Sequence, residues 1–225
     1  MSNGRYEIKF VLDGARLNEA MHWIYNNTTA VKKYNKRVVN SIYFDDIEYS
    51  SVRDNLAGIS ERSKFRLRWY DDKYESAPMF EIKVRKGRLG YKKLYKINSL
   101  KGKNLQDINF DKITFKCVED LMTQNVFLDN YIIPNLRVSY EREYYETHDG
   151  IRITIDENIK FSDSHLHSKF NENISLPYLF KVMEVKFPHK LKDTVSELIR
   201  PLHMTNKRHS KYLIGMSMLG YSVYI

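Results

Sequence analysis

The chain has 225 residues, a formal net charge of +9 at pH 7, and 42% hydrophobic and 13% aromatic residues. This composition excludes a chain that is disordered throughout, and the length suits a single domain, which we expect to span residues 1–225. Cys117 is the one cysteine, which excludes an intrachain disulfide framework, and the surplus of positive charge favours a polyanionic partner.

The chain opens on an alternating segment that precedes a helix. Residues 5–12 predict a strand with one charged face, which is made of Arg5, Glu7 and Lys9. Asp13 is the expected N-cap of a helix that runs to about residue 26. Residues 38–45 are rich in β-branched and aromatic side chains and predict a second strand.

The clearest alternation in the chain lies in residues 62–70 and repeats in residues 79–86. The polar faces of these two predicted strands carry Arg62, Lys64, Arg66 and Arg68, then Glu81, Lys83 and Arg85. A short turn with two glycines follows at residues 87–90. The segment 91–97, with Lys93 and Tyr95 on one face, then returns as the second arm of a predicted hairpin.

The second half of the chain predicts strands separated by helices. We expect strands at residues 135–145, 151–156 and 180–187, and helices at residues 110–128 and 191–202. The polar faces of these strands carry Arg142, Arg152, Asp156, Glu184 and Lys186. About eight strands with hairpin connections predict an α+β fold built on an antiparallel sheet.

The charged strand faces have two possible interpretations. For any single strand, a face in contact with water is the simpler one. However, runs such as Lys64, Arg66 and Arg68 put like charges side by side, which is unfavourable on a sheet. If the sheet closes, the charged faces line a lumen, and a cationic lumen requires a polyanionic occupant. Arg grips phosphate oxygens in pairs, and the interspersed acidic residues suit Mg²⁺ or Mn²⁺.

Eight short motifs, taken in order, resemble the VTC domain, the polyphosphate polymerase domain of the vacuolar transporter chaperone family. That domain belongs to the CYTH-like superfamily of triphosphate tunnel metalloenzymes. The motifs are RYEIKF (5–10), SIYFDD (41–46), KFRLRWY (64–70), FEIKVRKG (80–87), SYERE (139–143), RITID (152–156), VMEVKF (182–187) and SKY (210–212). The resemblance covers nearly the whole chain. It implies a closed eight-stranded antiparallel β-barrel, a triphosphate tunnel, with a charged lumen and helices packed outside.

The resemblance also implies roles for particular residues. The positions that match phosphate-binding residues of the tunnel are Lys9, Arg66, Arg68, Lys83, Lys93, Arg142, Arg152 and Lys211. We add Lys186 to this phosphate-binding set because it shares a strand face with Glu184. The expected catalytic cations are Arg66, Arg68, Lys83 and Lys211. Glu184 matches a metal ligand, and Glu7 is the expected second acidic ligand, for Mn²⁺ or Mg²⁺.

The implied reaction transfers the γ-phosphate of ATP to a growing polyphosphate chain. Hydrolytic members of the superfamily open with Glu-x-Glu-x-Lys, whereas this chain has Arg5 at the first position. The loss of one carboxylate favours the polymerase over the triphosphatase. The alternatives are an inorganic or nucleoside triphosphatase, a non-catalytic polyphosphate-binding module and, in a different class, an RNA-binding protein. Against RNA, the aromatic residues of segment 64–70 fall on the face opposite the basic ones.

The expected partners are therefore ATP and polyphosphate, with no nucleic acid. No stretch approaches the roughly 20 apolar residues that span a bilayer, and the first ten residues lack the pattern of a signal peptide. We accordingly expect a cytoplasmic protein with no membrane segment of its own. Recruitment by a membrane partner and the oligomeric state stay open.

Overall fold

A computed structural model describes residues 5–71, 76–87, 89–164 and 175–222, except for the side chains of Arg5 and Leu89. The strands are β1 (Arg5–Leu12), β2 (Val31–Asp45), β3 (Glu61–Tyr70), β4 (Met79–Lys86), β5 (Leu89–Lys96), β6 (Ile133–Glu146), β7 (Arg152–Asp163), β8 (Ser175–Pro177) and β9 (Lys181–Pro188). The α-helices are α1 (Gly14–Asn27), α2 (Ser50–Leu56), α3 (Phe110–Thr123), α4 (Lys192–Ile199) and α5 (Lys211–Met218). Among these described helices, none has the length and apolarity needed to cross a membrane.

The strands pair in the order β1-β9-β7-β6-β2-β3-β4-β5, and the short β8 pairs with β7. The pairs β1–β9, β7–β9, β2–β3, β3–β4 and β4–β5 are antiparallel, so the predicted α+β class with an antiparallel sheet is confirmed. The predicted closure into a barrel is wrong, because within the described ranges the path of paired strands ends at β1 and β5. Alternation shows which side chains share a face, but it carries no information on whether two edge strands meet.

Contacts divide the chain into two compact units. Unit 1 comprises Met1–Val38, Tyr140–Ile159 and Pro177–Ser210, and unit 2 comprises Val39–Ser139, Lys160–Leu176 and Lys211–Ile225. The strands β2, β6 and β7 therefore contribute residues to both units. The expectation of one domain over residues 1–225 stays a prediction.

The core of unit 1 forms where the apolar faces of β1, β7 and β9 pack against α1 and α4. Phe10, Trp23, Ile155 and Val185 are among its buried members. Asp13 caps α1 as predicted, since its carboxylate accepts a hydrogen bond of 2.9 Å from the backbone N–H of Arg16. The indole N–H of Trp23 donates to a backbone carbonyl at the end of α4.

The core of unit 2 forms between α3 and the apolar faces of β2, β3 and β4. It includes Leu67, Trp69, Phe80 and Cys117, all of them buried. The thiol of Cys117 packs as a small apolar group, and burial raises its pKa. Helix α3 ends at Thr123, earlier than the predicted residue 128, because Asn125 adopts a left-handed conformation with φ 56°.

Two helices of unit 2 escaped prediction, and both lie next to charged residues of the site. Helix α2 is short, and α5 looks like an apolar tail because most of its circumference is buried. Gly215 allows α5 to pack closely, since a Cβ at this position would lie 2.6 Å from Leu136 Cδ2 and 2.7 Å from Phe161 Cδ1. This close packing determines where Lys211 and Tyr212 lie.

Candidate functional site

Unit 2 contains a group of charged and polar side chains that we call the arginine cluster: Tyr43, Arg66, Arg68, Glu81 and Lys92. The strand registers put Tyr43 opposite Arg66 and Arg66 opposite Glu81, so their side chains share one face. Arg66 donates from Nε to Glu81 Oε2 at 2.5 Å and from Nη1 to Tyr43 Oη at 3.1 Å. Lys92 Nζ lies 2.8 Å from the other Glu81 oxygen. One buried carboxylate thus orients two cations.

The electrostatic balance at Glu81 is strongly positive. Burial by itself would raise the pKa of Glu81, which is 4% exposed, but Arg66, Arg68 and Lys92 outweigh burial and lower the pKa to about 2. The pKa of Lys92 is lowered by burial and by repulsion from the two arginines, in spite of its contact with Glu81. Cations therefore exceed what this carboxylate can neutralise.

Tyr43 links the arginine cluster to α5. Its ring stacks on the ring of Tyr212, with centroids 4.8 Å apart and an interplanar angle of 9°. The Tyr212 hydroxyl donates to Asp45 at 2.8 Å, and Asp45 also accepts from the backbone N–H groups of Ser51 and Val52 at the start of α2. The two helices that sequence patterns missed therefore hold the Tyr43 ring in position.

Neighbouring cations also lower the pKa of Tyr43. Burial would raise it, but the charges on Arg66, Arg68 and Lys211 prevail and lower it. Three of the predicted catalytic cations are thus close enough to one phenol to act on it together. Arg68 is further held by a hydrogen bond of 3.2 Å from its Nε to Ser41 Oγ.

The fourth predicted catalytic cation, Lys83, lies in a row of lysines. Lys83 is opposite Lys64 on β3 and opposite Lys92 on β5, so three ammonium-bearing side chains share one face. Like charges directly opposite each other destabilise a sheet. Such a row is consistent with a surface that meets an anion.

Lys93, which was predicted to bind phosphate, does not share the charged face of β4 and β5. Lys93 is opposite Ile82, and therefore lies on the face of the apolar core residues. Its neighbour Lys92 lies on the charged face and contacts Glu81. Side chains alternate along a strand, so a shift of one residue in the hairpin register exchanges the two faces. Lys92 replaces Lys93 as the candidate on this strand.

Unit 1 contains a second group, which we call the carboxylate cluster: Glu7, Lys9, Glu184, Lys186 and the pair Arg142–Asp156. The register of β1 and β9 puts Glu7 opposite Lys186 and Lys9 opposite Glu184. Lys9 Nζ lies 2.7 Å from Glu7 and 3.9 Å from Glu184. Lys186 Nζ lies 3.0 Å from Glu184 and 3.8 Å from Glu7. The predicted metal ligands and two predicted phosphate-binding lysines therefore contact one another.

Arg142 is held by a buried carboxylate. Its Nε and Nη2 atoms lie 2.5 Å and 2.7 Å from the two oxygens of Asp156, which is fully buried. Burial opposes the charge on Arg142, but Asp156 and Glu184 raise its pKa, so the pair is ionic. Arg152 differs from Arg142, because it is half-exposed and pairs with Glu146 at 3.1 Å.

The carboxylate cluster fits a divalent cation only in part. Within the described ranges, no group of three or more acidic, histidine or cysteine side chains is arranged to hold a metal ion. Lys186 and Lys9 keep Glu184 ionised, since they lower its pKa well below the usual range although burial opposes them. Mg²⁺ commonly uses one or two carboxylates together with water and substrate phosphates. Glu7 and Glu184 suit that kind of incomplete protein site.

Several members of these clusters were absent from the predicted site. They are Tyr43, Glu81, Lys92 and Asp156. Two of them carried a usable sequence signal, because Glu81 and Asp156 are carboxylates within otherwise basic strand faces. Tyr43 and Lys92 had no such signal. The position of Tyr43 depends on α5, and that of Lys92 depends on the register between β4 and β5.

Comparison with known proteins gives both a family match and fold matches. A family model described as the VTC domain matches residues 4–220. A protein from Hippeastrum, described as a candidate adenylyl cyclase with a dominant triphosphatase activity, has a TM-score of 0.55 and 13% identity over 96% of each chain. A candidate adenylate cyclase from Vibrio parahaemolyticus has a TM-score of 0.51 and 10% identity, over 95% of this chain and 99% of that one. At these identities the two structures show a shared fold, and no curated protein sequence matches the chain.

Proposed function

This chain belongs to the VTC domain family, and we propose that it is an ATP-dependent polyphosphate polymerase. A terminal phosphate oxygen of the growing chain attacks the γ-phosphorus of ATP, the bond from that phosphorus to the β-γ bridging oxygen breaks, and ADP leaves. The observation that carries the proposal is the arginine cluster, whose cations exceed its carboxylate charge. Because the chain belongs to this family, we interpret the cationic cluster as a site of phosphoryl transfer.

The proposed catalytic cations of unit 2 are Arg66, Arg68, Lys83 and Lys211. They would neutralise negative charge on the transferring phosphoryl group, which needs alignment and charge stabilisation rather than an acid or a base. Glu81 and Tyr43 would position Arg66, since they bind it from two sides. A guanidinium that is already oriented loses little free energy to reorganisation when phosphate binds.

The proposed phosphate-binding residues of unit 1 are Lys9, Arg142, Arg152 and Lys186. Glu7 and Glu184 would hold Mn²⁺ or Mg²⁺, and the bound cation would supply further neutralisation of phosphate oxygens. In unit 2, Lys92 takes the phosphate-binding role that the resemblance gave to Lys93.

A triphosphatase is the second candidate function. It is supported by the Hippeastrum protein, which shares the fold and is described as having a dominant triphosphatase activity. Position 5 favours the polymerase, because Arg5 replaces the first carboxylate of the hydrolytic motif.

Trp69 and Phe65 give no support to the RNA-binding alternative. Base stacking requires accessible aromatic side chains. Trp69 is buried in the core of unit 2, and Phe65 packs partly buried against that core. These rings therefore stabilise the fold beside α3.

The deciding experiment incubates the purified protein with ATP and Mn²⁺ and follows polyphosphate and free phosphate separately. We expect polyphosphate and stoichiometric ADP, and loss of both products with a chelator or with Arg68→Ala. Free phosphate without polymer would instead identify a triphosphatase. Neither product, together with tight binding of tripolyphosphate, would identify a binding module.

A further inference from the structure

Thr154 lies on the charged face of unit 1. It is opposite Glu184 in the register of β7 and β9, and two residues along the strand from Asp156. Thr154 is 8% exposed, yet its Oγ1 has no hydrogen-bond partner among the described residues. Buried hydroxyl groups are normally paired, because removal from water carries a penalty that only a new hydrogen bond offsets.

The polar neighbours of Thr154, in contrast, have hydrogen-bond or ionic partners. The buried carboxylates Asp156 and Glu184 and the guanidinium of Arg142 all have ionic partners. The other buried threonine of unit 1, Thr147, accepts a hydrogen bond of 3.0 Å from the backbone N–H of Ile151. An unpaired hydroxyl is therefore a local exception within a well-satisfied polar cluster.

The position of the hydroxyl suggests what it binds. Lys9, Lys186 and Arg142 lie around Glu184, and all three are attractive to phosphate. The hydroxyl hydrogen of threonine can turn about the Cβ–Oγ1 bond, so the group can donate one hydrogen bond to an anion that enters such a site. It does not donate to Glu184, although that carboxylate belongs to the residue opposite it.

We infer that Thr154 is a ligand-binding residue whose hydroxyl donates a hydrogen bond to a phosphate oxygen of the bound triphosphate or polyphosphate. The inference rests on the proposed function, since that function supplies the anion. It explains why a strand position that valine would fill equally well carries a hydroxyl. A purely packing role for the β-branched side chain is the competing explanation.

The test compares Thr154→Val, which removes the hydroxyl and keeps the shape, with Thr154→Ser, which keeps the hydroxyl. The probe is tripolyphosphate with Mn²⁺, measured by calorimetry, and thermal unfolding is measured without ligand. We expect Thr154→Val to raise the Kd about tenfold, and Thr154→Ser to stay within about threefold of wild type. The melting temperature of Thr154→Val should be equal to or higher than that of wild type, because an unpaired polar group is removed.

Thr147→Val is the matched control, because it removes a buried hydroxyl that has a partner. It should lower the melting temperature and leave the Kd unchanged. The inference is overturned if Thr154→Val binds tripolyphosphate as wild type does, or if it loses as much thermal stability as Thr147→Val. Failure of the wild type to bind tripolyphosphate would overturn the proposed function and this inference with it.

Discussion

The charged faces of the two units look alike in sequence and differ in electrostatic balance. In unit 1, Lys9, Arg142 and Lys186 each contact a carboxylate of their own cluster. In unit 2, Arg66 and Lys92 share Glu81, and Lys83 is opposite two other lysines. Among the described residues, unit 1 is therefore suited to binding phosphate together with a cation held beside its own carboxylates, whereas the cations of the arginine cluster outnumber its carboxylate and are suited to binding an anion directly.

The difference between the two units explains why strand alternation alone does not predict which charged face binds an anion. Both faces alternate charged with apolar residues, and both bury part of the charge. Concentrating like charges in a partly buried site is costly, and a bound ligand or solvent reduces that cost. The distribution of carboxylates among the basic residues is therefore the feature that distinguishes an anion surface from an internally neutral one.

The largest expected effect is a loss of ligand affinity that differs between the two clusters. Arg66→Ala should raise the Kd for metal-free tripolyphosphate about 100-fold or more, because it removes paired charge-assisted hydrogen bonds. Glu184→Gln should raise the Kd for Mn²⁺ at least about tenfold, because it removes an ionised oxygen ligand. Each variant should leave the other ligand's affinity within a few-fold of wild type, as measured by calorimetry.

Two further variants serve as controls for this separation. Arg53→Ala removes an exposed arginine of unit 2 that pairs with Glu48, and Glu143→Gln removes the charge of a unit 1 carboxylate that pairs with Lys32. Neither should change either affinity. Equal loss of both ligands in Arg66→Ala and Glu184→Gln would show that the electrostatic comparison does not describe how the ligands are bound.

The second-largest expected effect is on the free energy of unfolding at acidic pH, and it depends on Glu81 of unit 2. The folded-state pKa of Glu81 is about 2, below its unfolded value, so its ionised form stabilises the fold above that unfolded value. This contribution should disappear as the pH falls from about 4.5 toward 2, and it amounts to about 3 kcal/mol. The free energy of unfolding, measured with urea across this pH range, should fall less steeply in Glu81→Gln than in wild type.

Glu48→Gln is the matched variant, since Glu48 is an exposed carboxylate that pairs with Arg53. Exposed pairs contribute little, so its acid profile should follow that of wild type. If Glu81→Gln also followed wild type, the positive field that we assign to the arginine cluster would be absent.

Much of the fold was accessible from the sequence. Period-two alternation identified β1, β3, β4 and β9, because a half-buried strand must present apolar residues on one side. Asp13 identified the start of α1 because an N-cap has a distinct chemical signature. Alternation also placed Arg66 and Arg68 on one charged strand face, whereas the roles proposed for them and for Glu184 stay predictions.

The remaining features depend on long-range geometry. Whether β1 and β5 meet is a property of sheet edges, to which side-chain alternation is insensitive. Helix α5 lacks a polar stripe because it is largely buried, so its periodicity resembles an apolar tail. The face of Lys93 depends on the register between β4 and β5, which alternation within one strand does not determine.

The smallest expected effect tests that register directly. Lys92 is opposite Lys83 and contacts Glu81, whereas Lys93 is opposite Ile82 on the other face. Lys92→Ala should raise the Kd for tripolyphosphate about fivefold, since it removes a half-exposed cation that is partly screened by water and salt. Lys93→Ala removes the same charge one residue away and should change the Kd less than about twofold. Because the net charge of the two variants is identical, only the face of β5 distinguishes them, and a larger effect of Lys93→Ala would restore the original assignment and contradict the register of this hairpin.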